Sequence, residues 1–250
     1  MNKILIIAAT DNSSGAGLTK DVIVSKDHNV WPIICPTSIT TQDFSCAYHN
    51  FILPQSIIKK QLNLIKNQFN INAIKIGVIN ESILPILKDF LSSYNKNIHI
   101  ILDPIIKASN GIKFIKNPKI FLELLKYVTI LTPNFNEFIK IFNLDIDLNK
   151  NSKQKLIKHS KEIAQKYNLT IILKGGHLNI SKTITDYVVT PFEIKKIKHK
   201  RIEVKNFHGS GCTLSTALAC NLALGYPLLK AFKNSLSYLK KFYLKIQNNV

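Results

Sequence analysis

The chain alternates short, almost wholly apolar runs with longer stretches in which apolar residues recur every three or four positions. The apolar runs at residues 3–9, 30–37, 73–76, 98–102, 128–131 and 170–173 are rich in Ile and Leu and have the length of strands buried on both faces. The stretches 18–26, 54–69, 82–94, 118–126 and 153–167 predict amphipathic helices; in the second, Ile57, Ile58, Leu62 and Ile65 fall on one face. Residues 183–189 and 193–204 predict a β-hairpin, and 211–224 and 227–246 two closing helices. The alternation predicts an α/β fold, three layers with a mostly parallel central sheet and helices on both faces, in one domain spanning 1–250.

In such a sheet, ligands gather beyond the carboxyl ends of the strands. The polar and glycine-rich residues fall at those ends: residues 11–17, Gln42, Gly77, Asp103, Asn134, Lys174 and His177. That coincidence predicts an enzyme site before any single motif is weighed.

Composition changes this picture little. Hydrophobic residues make up 46% and charged residues 20%, a globular balance, and no apolar run reaches the length of a membrane span. The apolar start at residues 4–9 is too short for a secretory leader and reads as the first strand. Cys35, Cys46, Cys212 and Cys220 form no C-x-x-C pair and no zinc spacing, which predicts a reduced cytoplasmic protein, with all but Cys212 as buried apolar thiols. The net charge of +19 invites a nucleic-acid reading, but Arg201 is the sole arginine and the lysines are scattered. Specific phosphate and base readout favours the planar arginine fork, so no nucleic-acid or membrane partner is expected.

Four motifs carry chemistry. In residues 205–215, Gly209 and Gly211 flank Ser210 and a stretch of small residues follows. Such a turn aims several amides at one point beside a helix N-terminus, an anion hole for a phosphoryl group in transfer. Cys212 stands at the helix start, where a thiol is expected to be acidified and partly ionised. Residues 9–17 run from a strand through a small-residue loop, ending at Gly17, into a helix carrying Asp21. Asp103 ends a buried strand, and Glu137 lies one turn into a helix opened by Asn134; carboxylates joined by phosphate oxygens suit Mg²⁺. Lys174 ends a strand beside two glycines and can neutralise phosphate charge.

Taken together and in order, the motifs resemble those of the hydroxymethylpyrimidine/phosphomethylpyrimidine kinases of thiamine biosynthesis, within the ribokinase-like superfamily. Residues 10–17 (TDNSSGAG) resemble the S-D-P-S-G-G-A-G loop, and 37–42 (TSITTQ) resemble T-A-L-T-A-Q. Lys75-Ile76-Gly77-Val78 resembles K-I-G-M, Leu102-Asp103-Pro104-Ile105 resembles L-D-P-V, and 131–137 resembles I-T-P-N-x-x-E. Residues 173–178 resemble V-K-G-G-H-L, and 205–213 resemble K-N-T-H-G-T-G-C-T. A cysteine after the last glycine, rather than aspartate, separates this family from most sugar kinases of the superfamily. Asn12, Ser14 and Val78 depart from the pattern, and the chain ends soon after its last helix.

The resemblance implies a ribokinase-like fold, ATP as phosphoryl donor, Mg²⁺, a homodimer, and two successive phosphorylations of a small hydroxymethylated pyrimidine. Gln42, Asp21, Gly17 and Val78 then fall on the pyrimidine side. Asn134, Lys174 and Ser210 fall on the nucleotide side, Asp103 and Glu137 at the metal, and Cys212, Gly209, Gly211 and Lys174 at the transfer itself. Cys212 is the expected base for the first transfer. Two alternatives stay open: a pyridoxine or pyridoxal kinase on a related fold, and a non-catalytic ligand-binding protein.

Overall fold

A computed structural model describes residues 1–43, 46–94, 98–107, 113–146, 152–176, 182–201 and 209–247. His177, the end of the hairpin beyond residue 201 and residues 205–208 of the glycine turn lie outside the described residues.

The strands are β1 (Lys3–Asp11), β2 (Trp31–Gln42), β3 (Ala47–Ile52), β4 (Ala73–Ile76), β5 (His99–Leu102), β6 (Ile130–Leu131), β7 (Thr170–Leu173), β8 (Thr183–Val189) and β9 (Ile194–Lys200). The helices are α1 (Gly17–Asp27), α2 (Gln55–Gln68), α3 (Leu84–Ser92), α4 (Phe135–Phe142), α5 (Ser152–Tyr167), α6 (Ser210–Ala223) and α7 (Leu228–Gln247). All the strands join one sheet in the order β3-β2-β1-β4-β5-β6-β7-β8-β9. From β2 to β7 the neighbours run parallel, while β3, β8 and β9 are antiparallel flanks. This is the expected three-layer α/β architecture. The chain order reverses between β1 and β4, so the carboxyl ends of those strands open onto the switch point where such sheets hold ligands.

Two apolar layers cover the sheet. One face packs α2, α3, α4 and α5 through residues such as Ile58, Leu87, Phe138 and Leu156. The other packs α1, α6 and α7 through Leu18, Leu218 and Phe232. The parallel strands are apolar on both faces because both faces are covered; the exception in β4, Lys75, is fully buried.

Several elements differ from expectation for identifiable reasons. The strand beginning near residue 30 continues to Gln42, because Thr37, Ser38 and Thr40 remain buried and paired rather than turning away. β3 carries no one-sided pattern, since it has no fully buried residue. The stretch at Pro118–Leu124 winds as a 3₁₀ helix. Ile57 is 46% exposed, whereas Ile58, Leu62 and Ile65 form the buried stripe of α2. Cys46 is exposed, while Cys35 and Cys220 are buried thiols as expected.

Candidate active site

The β1–α1 loop is built around Asp11. Its carboxylate accepts from the Ser13 amide at 2.8 Å, the Ser13 hydroxyl at 2.7 Å and the Ala16 amide at 2.7 Å, which folds the loop over the end of β1. Ser14 takes a left-handed φ of 59°, a conformation the glycine of the resembling loop adopts at less cost. Asn12 places its side-chain oxygen 2.8 Å from the Gln42 amide, tying this loop to the end of β2. Gln42 is thereby fixed beside the loop, and Val78 is held by the Thr37 hydroxyl, which donates to its carbonyl at 2.7 Å. The expected pyrimidine-side residues Gln42, Gly17 and Val78 thus gather around the switch point.

Two glycines are obligatory here. Gly17 has φ 60° and an added Cβ would lie 2.5 Å from the Ala9 carbonyl. Gly209 has φ 91°, and a side chain there would run into the Gly15 carbonyl. That contact seats the start of α6 on the β1–α1 loop. Gly209 offers no capping side chain, so the first-turn amides of α6 have no side-chain cap and no intrahelical partner.

Beneath this turn lies an ion pair. Lys174, just past β7, donates to Asp103, just past β5, at 3.0 Å. Asp103 also accepts from the hydroxyls of Thr132 at 3.2 Å and Ser215 at 3.0 Å. A Cβ on Gly211 would lie 3.5 Å from both Asp103 Oδ2 and Lys174 Nζ, so the glycine turn, the lysine and the carboxylate converge. Burial opposes the charge on Asp103, but Lys174 and then Lys75 outweigh it and hold the carboxyl below its ordinary range. Asn134 and Glu137 form a reciprocal capping box at the start of α4, with the Asn134 oxygen accepting from the Glu137 amide at 2.9 Å and Glu137 from the Asn134 amide at 2.7 Å. Burial lifts the Glu137 carboxyl to about 7, with Lys174 pulling the other way. Asn134 also bridges Lys174 through the backbone, so these two residues, expected on the nucleotide side, share one sheet end.

Two expectations are corrected. Asp21 does not face a ligand: it is fully buried, one oxygen accepting from Lys75 at 2.7 Å and the other from Thr216 at 2.6 Å. Cys212 is not acidified by its helix start. It is 6% exposed, and burial pushes its thiol up to about 11 despite the opposing Lys75 charge. The desolvation of a thiolate outweighs the partial charge of the helix terminus. Lys75, Thr216 and Ser215 carry no expected role, yet they shape the site. A lysine inside the apolar strand Ala73–Ile76 was the visible signal, because a buried cation requires a partner.

The sequence profile of the phosphomethylpyrimidine kinase family matches residues 11–248. The chain belongs to that family. It is 29% identical to the hydroxymethylpyrimidine/phosphomethylpyrimidine kinase of Aquifex aeolicus, over 94% of this chain and 91% of that protein. Its likeness to the corresponding Staphylococcus aureus kinase is also 29%, over 94% and 85% of the two chains. Among solved structures, the phosphomethylpyrimidine kinase of Clostridium difficile superposes with a TM-score of 0.78 at 28% identity, over 96% and 99% of the two chains. The Staphylococcus aureus pyridoxal kinase in complex with ADP reaches 0.82 at 23% identity, over 96% and 87%, a likeness of fold. As a family member the protein is a phosphotransferase, and kinase, rather than passive binding, is its class.

Proposed function

We propose that this kinase transfers the γ-phosphoryl group of ATP to the hydroxymethyl group of 4-amino-5-hydroxymethyl-2-methylpyrimidine. A second transfer to the resulting monophosphate then gives the pyrophosphate used for thiamine. The observation that carries the reading is the convergence of the Gly209–Gly211 turn, Lys174 and Asp103 beside Cys212, in a chain of the phosphomethylpyrimidine kinase family.

In this reading Gln42 pairs with the aminopyrimidine edge, because its amide offers a donor and an acceptor side by side. Gly17 and Val78 lie along the ring. The α6 amides, including that of Ser210, and Lys174 hold the phosphates, with Asn134 on the nucleotide side. Among the described residues no cluster of three or more His, Cys, Asp or Glu could cage a metal. The donor set fits Mg²⁺ bound chiefly through phosphate oxygens and water, with Asp103 and Glu137 as its protein carboxylates. When bound, Mg²⁺ offsets charge on the phosphoryl oxygens.

In the first transfer Cys212 gives its own proton to solvent and, as the thiolate, takes the hydroxyl proton. In the second, the nucleophile is a phosphate oxygen that is already largely ionised at neutral pH, its second pKa being about 6, and needs no base. A thiol titrating at about 11 stays uncharged at neutral pH, so it does not repel the incoming monophosphate as a fixed carboxylate would. A single cytoplasmic kinase domain working as a homodimer completes the proposal. Ile39 and Phe51, paired across β2 and β3 and 50% and 64% exposed, support an apolar contact between copies.

Incubation with the pyrimidine alcohol and Mg-ATP, followed by mass detection of mono- and diphosphate, tests the activity. Both products in sequence are expected. Turnover of pyridoxal with none of the pyrimidine contradicts the reading in favour of a pyridoxal kinase, and turnover of neither in favour of a binding protein.

A further inference from the structure

Lys75 heads the largest fully buried side chains of the chain. Its ammonium lies 2.7 Å from Asp21 with both side chains at 0% exposure. Asp21 is fixed in turn by the Thr216 hydroxyl at 2.6 Å, from the helix that carries Cys212. A Cβ on Gly77 would lie 2.8 Å from Lys75 Nζ, so the ammonium sits directly under the glycine that follows β4. Burial disfavours the Lys75 charge, but Asp21, Cys212 and Asp103 more than compensate and keep it protonated. A sealed ion pair of this kind contributes little net stability, because desolvating both ions offsets their attraction and an apolar pair would fill the core as well. Thr216 stands one helical turn from Cys212 on the same face of α6, so the pair is held against the helix face that carries the thiol.

Among the described residues, the titratable groups acting on Cys212 are Lys20 and Asp21 of α1, Lys75 of β4, Asp103 after β5, Lys174 after β7 and Tyr243 of α7. Lys75 exerts the largest favourable effect on the thiolate, ahead of the opposing effects of Asp21 and Asp103.

We infer that Lys75, anchored by Asp21 and Thr216 beneath Gly77, is a positioning residue for Cys212, its fixed ammonium stabilising the thiolate that takes the substrate's hydroxyl proton. The inference rests on the proposed role of Cys212 as base. Before that step the Cys212 thiol gives its own proton to solvent; in the step the hydroxyl proton moves to Sγ while the hydroxyl oxygen forms a bond to the γ-phosphorus. The bond from that phosphorus to the bridging oxygen breaks, and ADP leaves with the electron pair. The second transfer moves no proton to Sγ, so it gains nothing from Lys75.

The test variant is Asp21→Asn with Lys75→Met, which removes both charges and leaves neither buried alone; its melting temperature reports that it folds. With cysteine labelled at Cβ with ¹³C, the Cys212 resonance is assigned by its loss in Cys212→Ala and followed against pH. The expected result is a titration displaced upward by about one pH unit. Turnover on the pyrimidine alcohol falls by about tenfold with KM little changed, while turnover on the monophosphate changes by less than about threefold. Lys75→Arg, which keeps the charge, recovers the first transfer. An unmoved Cys212 titration, or equal losses in both transfers, overturns the inference. The base reading fails separately if Cys212→Ala keeps the first transfer, whatever the thiol titration shows.

Discussion

Two lysine–aspartate pairs stand at the carboxyl edge of the sheet, and they differ in one respect that decides what each can do. Lys75 and Asp21 are sealed, with both side chains at 0% exposure. Lys174 and Asp103 are open on one side, with the lysine 15% and the aspartate 1% exposed. The sealed pair meets no small molecule and acts only through its field. In the proposed mechanism the lysine of the open pair exchanges its partner for a phosphate oxygen arriving under the glycine turn. Hydrogen-bond distances alone, 2.7 and 3.0 Å, would have ranked the sealed pair as the stronger site.

Breaking each pair on one side separates the two roles. Lys75→Met alone strands the Asp21 carboxylate in the core, and the expected cost is about 3–5 kcal/mol of stability, measured by denaturant unfolding. Lys174→Met leaves Asp103 with Thr132, Ser215 and the field of Lys75, so stability falls by less, about 1–3 kcal/mol. Its cost appears in turnover instead, roughly 10²–10³-fold in kcat for both transfers, because a preorganised charge at the phosphoryl group is lost. A variant pair in which Lys174→Met unfolds and Lys75→Met is merely slow would invert the comparison.

Glu137 sharpens the same contrast on the open side. Its carboxyl is lifted from 4.5 to about 7, so the folded protein holds this proton to a higher pH than the unfolded chain does. The stability contributed by the protonated form is complete below the unfolded value and is lost as pH rises through about 7. Glu137→Gln therefore flattens the decline in melting temperature between about pH 5 and pH 7. The difference is of order 2 kcal/mol, since the group is only partly shielded from water.

The open site was legible in the sequence and the sealed one was not, for a physical reason. Asp103, Asn134 and Lys174 each follow a strand-like apolar run, so the fold's own logic marks them as ligand-facing. β4 itself is read at its true limits, because Ala73–Ile76 is buried throughout. The lysine inside the apolar run of β4 is visible in the sequence, but its partner is not, because Asp21 lies on an element far apart in the chain. The acidity of Cys212 is not legible in the sequence, because a helix start is visible there and the burial of the thiol is not. β3 escaped because its exposed residues share no period. Asn134 and Glu137 show the converse: their spacing of three residues predicts a cap, and the capping box forms.

The most direct test of the account is Cys212→Ala, with turnover measured on the pyrimidine alcohol and on its monophosphate separately. A loss of about 10²–10⁴-fold on the alcohol and a far smaller loss on the monophosphate are predicted, since only the first nucleophile has a proton to give up. Equal losses on the two substrates, or an unaffected first transfer, would contradict the assignment of Cys212 as its base.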